Sequence, residues 1–170
     1  MQKKFGFHLI AMTLFMVCIL TSCLEVETYP NEPSLSKASI LIQGDTAVLL
    51  AEFIDGDGNF GLNESDTGGV FSDCLHQYNF FADYQEKHNG VWVTMSDDPC
   101  LNPNAIPFYY RAPWVQPPGQ NKTQKGTVSI VLYPAYYLIS NFDTCRFKVR
   151  VCDRDFNFSN EVYTNEFLKP

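Results

Sequence analysis

The 170-residue chain is short of basic residues, short of histidine, and has no apolar run long enough to cross a bilayer. Each shortage closes a class of function. Twelve Lys and Arg stand against nineteen Asp and Glu, a formal net charge of -7. No basic cluster follows Lys3 and Lys4. Such a chain repels phosphate backbones and anionic lipid surfaces, which excludes nucleic acid as a partner. Neither G-x-S-x-G nor H-E-x-x-H occurs, so no nucleophile elbow and no zinc-protease helix is present. No Cys-x-x-Cys spacing points to zinc or to a redox pair. Asp55 and Asp57 are alternate residues of one turn, whereas glycoside hydrolysis needs two carboxyls facing a common cleft. These absences predict a protein with no catalytic residues. Repeats at solenoid periods are also missing.

What is present begins at the amino terminus. Lys3 and Lys4 precede a twelve-residue apolar run, Leu9 to Leu20, interrupted only by Thr13. Twelve residues make a signal-peptide core and not a membrane span. The run ends in "LTSC", Leu20 to Cys23, which resembles the lipobox of bacterial lipoproteins. That resemblance implies a diacylglyceryl thioether on Cys23, cleavage just before it, and acylation of the new amino terminus. Several chains on one residue hold a protein to a membrane durably, where a single chain holds weakly. The expected organisation is a signal peptide over 1–22, a lipidated tether over 23–36 carrying Pro30 and Pro33, and one domain over 37–170. Loss of Lys3 and Lys4 takes the formal charge from -7 to -7 - 2 = -9.

Cleavage at Cys23 leaves Cys74, Cys100, Cys145 and Cys152 in an oxidising compartment. In "CRFKVRVC", residues 145–152, Arg146, Lys148 and Arg150 alternate with Phe147, Val149 and Val151, the period of a half-buried strand. Seven strand steps separate the end cysteines by over ~20 Å, beyond disulfide reach. Cys145 and Cys152 therefore do not pair. Either each joins Cys74 or Cys100, or Cys74 pairs with Cys100, or the thiols stay free.

Short apolar runs separated by turn residues fill the rest. Strands are expected at 38–43, 46–54, 78–85, 91–96, 127–133, 144–153 and 161–167. About seven such strands predict an all-β, antiparallel β-sandwich. "HNGVWV" marks a two-residue hairpin at Asn89 and Gly90, since both tolerate positive φ. "AVLLAEFI" is apolar almost throughout, so its period fits a buried strand or a helix. Between Asp97 and Lys125 six prolines make regular sheet unexpected. Tyr109, Tyr110 and Trp114 in that segment are candidate binding residues, the alternative being that their rings cover a sheet edge. Tyr133 to Phe142 is read as the crossing between the two sheets.

Two acidic bends share one pattern. "DGDGNF" at Asp55 to Phe60 and "DRDFNF" at Asp153 to Phe158 both read Asp-x-Asp-x-Asn-Phe. In a sandwich the loops after the second and the penultimate long strands emerge at one end, bringing Asp55, Asp57, Asn59, Asp153 and Asp155 together. Hard oxygen donors of that kind suit Ca2+. The first bend is no EF-hand loop, because Phe60 stands where glycine is needed and Asp66 where glutamate is. The competing expectation is a structural turn network in which Arg154 neutralises Asp55 or Asp57.

"DGDGNFGL" at Asp55 to Leu62, "HNG" at His88 to Gly90, "RAP" at Arg111 to Pro113, "NKTQKG" at Asn121 to Gly126 and "DRDFNFSN" at Asp153 to Asn160 span most of the mature chain. Together they resemble a family of uncharacterised outer-membrane lipoproteins of glycan-degrading and gliding bacteria, which carry "DGDGDIGL" at the first position. The family usually has Asp where this chain has Asn59, one charge fewer for a cation. The resemblance implies a single immunoglobulin or fibronectin III-like domain, lipid-anchored at the outer membrane on its periplasmic or cell-surface face. Glu25 and Glu27 fit the acidic residues that accompany surface export in such bacteria. The expected function is a binding or structural module whose partner is a protein or a glycan. The alternative is carbohydrate binding, through calcium or an aromatic platform.

Overall fold

A computed structural model describes residues 27–96, 98–102, 108–117, 120–133 and 136–170. The segment read as a signal peptide, and Cys23, read as the lipidation site, lie outside the described residues. Among them run nine strands: β1 (Ser34–Gln43), β2 (Thr46–Asp55), β3 (Phe80–His88), β4 (Val91–Thr94), β5 (Tyr109–Tyr110), β6 (Gln124–Leu132), β7 (Thr144–Val151), β8 (Val162–Tyr163) and β9 (Phe167–Leu168). They form two antiparallel sheets, one ordered β1-β2-β6 and the other β4-β3-β7-β8, with β5 added to β3 and β9 to β7.

Alternation decides which face each strand turns inward. Along β7, Cys145, Phe147, Val149 and Val151 are buried while Arg146, Lys148 and Arg150 stay half-exposed on the outer face. There Arg146 lies between the rings of Trp92 and Tyr163, at 4.2 and 4.1 Å, and Lys148 pairs with Asp83 and Glu161. The ambiguous "AVLLAEFI" is strand β2, with Ala47, Leu49 and Ala51 fully buried. The small alanines leave room for the rings of Tyr84, Phe108 and Phe147 in the same core. Each such ring contributes about 2–3 kcal/mol through the area it withdraws from water. Asn89 (φ 50°) and Gly90 (φ 87°) close the β3–β4 hairpin in the primed turn expected there.

Three expectations change, and one open alternative is decided. β1 starts at Ser34 and buries Leu35, inside the segment read as tether, because Leu35 completes the core. Upstream of it the Pro30 carbonyl accepts the Gly56 N–H at 3.0 Å, so the chain is already docked there. The proline-rich segment does contribute a strand, β5, whose Tyr109 and Tyr110 pair with Phe81 and Phe80 between prolines. The final strand divides into β8 and β9, separated by residues 164–166 outside either strand. Of the cysteine alternatives, Cys74 pairs with Cys100 across 5.6 Å between α-carbons, and Cys145 and Cys152 are buried free thiols.

The two long sides of the sandwich are closed differently. On one, "SNE" (Ser159 to Glu161) and "TNE" (Thr164 to Glu166) repeat five residues apart and act alike. Ser159 Oγ accepts the Val151 N–H, and Thr164 Oγ1 accepts the Phe147 N–H, both at 3.0 Å. Asn160 exchanges two hydrogen bonds with the backbone of Leu35, and Asn165 two with Ile40. Glu161 and Glu166 pair outward with Lys148 and Lys87. The side-chain amides thus occupy edge positions of β1 that a neighbouring strand would otherwise fill. On the other side β6 pairs only with β2 among the described residues.

Candidate functional site

The acidic bends meet at the end of the sandwich where β2 and β7 finish. Phe60 and Asp153 form an isolated antiparallel bridge, and the Asn59 amide donates to Asp155 Oδ2 at 2.9 Å. The first bend keeps its shape through close backbone approaches. Gly58 has φ +74°, and a β-carbon there would lie 1.9 Å from the Lys122 carbonyl oxygen. The Trp114 indole N–H donates to the Gly58 carbonyl at 3.1 Å, and Thr123 Oγ1 donates to the Gly56 carbonyl at 3.2 Å. Trp114, Lys122 and Thr123 therefore brace the bend from outside.

Within the cluster the two bends are provided for unequally. Asp153, 3 % exposed, is satisfied: Oδ1 accepts the N–H groups of Asp155 and Asn157, and Oδ2 accepts the Asn157 amide. It is a turn-forming carboxylate of the second bend. Asp55 is 0 % exposed; its Oδ2 accepts the Phe60 N–H at 2.8 Å, and its Oδ1 is buried with no partner. Asp57 Oδ1 and Asn59 Oδ1 are buried without partners as well. The Asn59 amide orientation is set by its neighbours, since its nitrogen faces carboxylate oxygens of both Asp57 and Asp155. Turning it would put oxygen against oxygen.

Electrostatics follow from this crowding. Burial, then repulsion from Asp57 and Asp153, pushes the Asp55 carboxyl up to about 6 against the Phe60 hydrogen bond. Asp57 is raised too, by burial first and by Asp153 and Asp155 after it. No ion pair reaches Asp55, Asp57, Asp153 or Asp155 among the described residues. Arg154, expected as their neutraliser, instead pairs with Asp66 at 3.0 Å. Asp66 also accepts the Asn63 N–H at 2.7 Å, so the Asp66 loop takes up the guanidinium. Among the described residues no group of three or more His, Cys, Asp or Glu is arranged to hold a metal by itself. What the first bend offers is two carboxylate oxygens and one amide oxygen.

The candidate binding aromatics are not arrayed as an open platform. Tyr109 packs edge-on against Phe81 and Tyr78, Tyr110 against Phe80, and all three candidate rings including Trp114 are half-buried. Burial pushes both tyrosine hydroxyls up to about 12. A different concavity lies beside β6: a groove of about 700 Å3 lined by Phe53, Phe60, Val115, Pro117, Val128 and Ile130 among others. The cluster and the groove adjoin through Phe60, whose N–H holds Asp55 and which also lines the groove.

Sequence reading missed a second polar centre at the opposite end of β7. Glu86, 0 % exposed, accepts hydrogen bonds from Lys169 (2.6 Å), Ser140 (2.8 Å), Tyr84 (3.2 Å) and the His88 ring (3.2 Å). The only signal was a charged residue in the β3 pattern where an apolar one fits. Cys145 touches Tyr84 there at 2.9 Å, but burial raises its thiol, which disfavours the nucleophilic thiolate. The "SNE/TNE" repeat was also missed, although its five-residue period is visible in the sequence. Comparison of the chain with family models, curated proteins and solved structures returns no match.

Proposed function

We propose that this chain is a non-catalytic, lipid-anchored binding module of the bacterial cell envelope, which takes an extended segment of a protein partner along the free edge of β6. One observation carries the binding half of this reading: the chain staples one long side of its sandwich with the repeated Asn side chains, while on the other side β6 has no partner but β2 among the described residues. An uncapped edge strand offers a row of backbone donors and acceptors to an incoming strand. Val128 and Ile130 beside that edge are only partly buried and line the apolar groove, which gives the side chains of such a segment somewhere to sit. The lipid half rests on "LTSC" and on the resemblance to envelope lipoproteins. Among the described residues no helix is long and apolar enough to cross a membrane. The half-buried setting of Tyr109, Tyr110 and Trp114 favours a protein segment over stacking of sugars.

A photo-crosslinking residue placed at Ser129 on β6, in cells of the native host, should give a discrete adduct. The same residue at Ser39 on the stapled β1 should give none. Adducts at neither position, or equally at both, would count against the open edge. Cys23→Ser should release the protein from the membrane fraction; retention there would count against the lipid anchor.

A further inference from the structure

We infer that the bend Asp55 to Asn59 is a binding site for a divalent cation, with Ca2+ as the cation its donors suit best. The inference stands apart from the β6 reading and rests on three unpartnered oxygens. Asp55 Oδ1, Asp57 Oδ1 and Asn59 Oδ1 are all buried and receive no hydrogen bond. An orphaned buried carboxylate oxygen on a residue with 0 % exposure is the costliest of these. A turn built only for its own backbone would use such oxygens, as the neighbouring bend does. Asp153 spends both of its oxygens on N–H groups of residues 155 and 157.

Charge points the same way. Asp55, Asp57, Asp153 and Asp155 gather where no described Lys, Arg or His pairs with them, and the nearest guanidinium in sequence, Arg154, is held by Asp66. Carboxylates crowded around the buried Asp55 favour an opposite charge, and the described residues bring none there. A cation would supply it and would give all three orphan oxygens a partner. The donors are oxygen only and come from carboxylate and amide, which suits a hard cation and not zinc or copper. Three oxygens from an irregular bend, completed by water, match the flexible coordination of Ca2+ better than the rigid octahedron of Mg2+. Asp155, exposed and bonded to the Asn59 amide, is placed to add a further carboxylate. Asp66, the twelfth residue counted from Asp55, is committed to Arg154 and contributes nothing.

Equilibrium dialysis of the full lipidated chain, stripped with chelator and then exposed to Ca2+, tests this directly. The expected result is about one saturable Ca2+ per chain. Asp55→Asn, which keeps the shape and an acceptor for Phe60, should weaken binding at least tenfold, and Asp57→Asn should do the same from a half-exposed position where folding is not at stake. No saturable Ca2+ in the wild type would overturn the site. Binding unchanged in both variants would overturn it equally, because the ion would then sit elsewhere.

Discussion

Glu86 and Asp55 are both carboxylates with no exposed surface, one at each end of the same sandwich, and the fold treats them in opposite ways. Around Glu86 the chain brings a cation, Lys169, with Ser140, Tyr84 and His88 completing the shell. Burial alone would raise that carboxyl, yet the hydrogen bonds from Lys169, Ser140 and His88 outweigh it and hold the group below its ordinary value. Around Asp55 the chain brings further carboxylates, leaves an oxygen without a partner, and the carboxyl rises. A buried charge neutralised from within fixes structure. One that lacks a partner leaves room for a counter-charge from solution, as proposed above for Asp55.

Removing the internal cation should produce the largest effect. Lys169→Met leaves Glu86 buried without its counter-ion and should cost about 3–5 kcal/mol in urea unfolding. Gly58→Ala should come next, at about 2–4 kcal/mol, since it forces a side chain into positive φ and against the Lys122 carbonyl. This change would damage the Asp55 end without touching a carboxylate. Asp55→Asn should act in the opposite direction: in chelator it should leave stability equal or raise it by about 1–3 kcal/mol, because it removes a buried, repelled charge. If Asp55→Asn proved as damaging as Lys169→Met, the two ends would not differ as described.

Acid titration in chelator should separate the two ends by sign, with smaller amplitude. The folded-state value of Glu86 is depressed, so its contribution is present above its ordinary 4.5 and is lost as pH falls below that. The folded-state value of Asp55 is raised, so its contribution is greatest below 3.8 and is lost as pH rises through about 6. Unfolding measured from pH 3 to 7 should therefore lose its Asp55 component in Asp55→Asn and its Glu86 component in Glu86→Gln.

The difference between the ends also explains what the sequence could disclose. Alternation made β7 legible and the Asn89–Gly90 turn fixed the hairpin, because these depend on residues within a few positions of one another, whereas the near-continuous apolar run of β2 left strand and helix open. Strand order was enough to bring the bends at Asp55 and Asp153 to one pole. Side-chain partners were not legible, because they depend on directions set by the finished fold. Arg154 lies one residue from Asp153 in sequence and still turns to Asp66. Glu86 meets Lys169 across 83 positions. Trp114 looked like a contact residue because nothing in the sequence tells that its N–H reaches Gly58. β5 was obscured by its prolines, which leave Tyr109 and Tyr110 free to pair even though the surrounding segment is irregular.

The melting temperature of the wild-type chain and of Asp55→Asn, each in chelator and in Ca2+, tests the central claim most directly. With Ca2+ about a hundredfold above its dissociation constant, the wild type should melt about 5–10 °C higher than in chelator. Asp55→Asn should melt at least as high as the wild type in chelator and should rise at most about half as far as the wild type when Ca2+ is added. A wild type indifferent to Ca2+, or a variant that responds as the wild type does, would contradict the account.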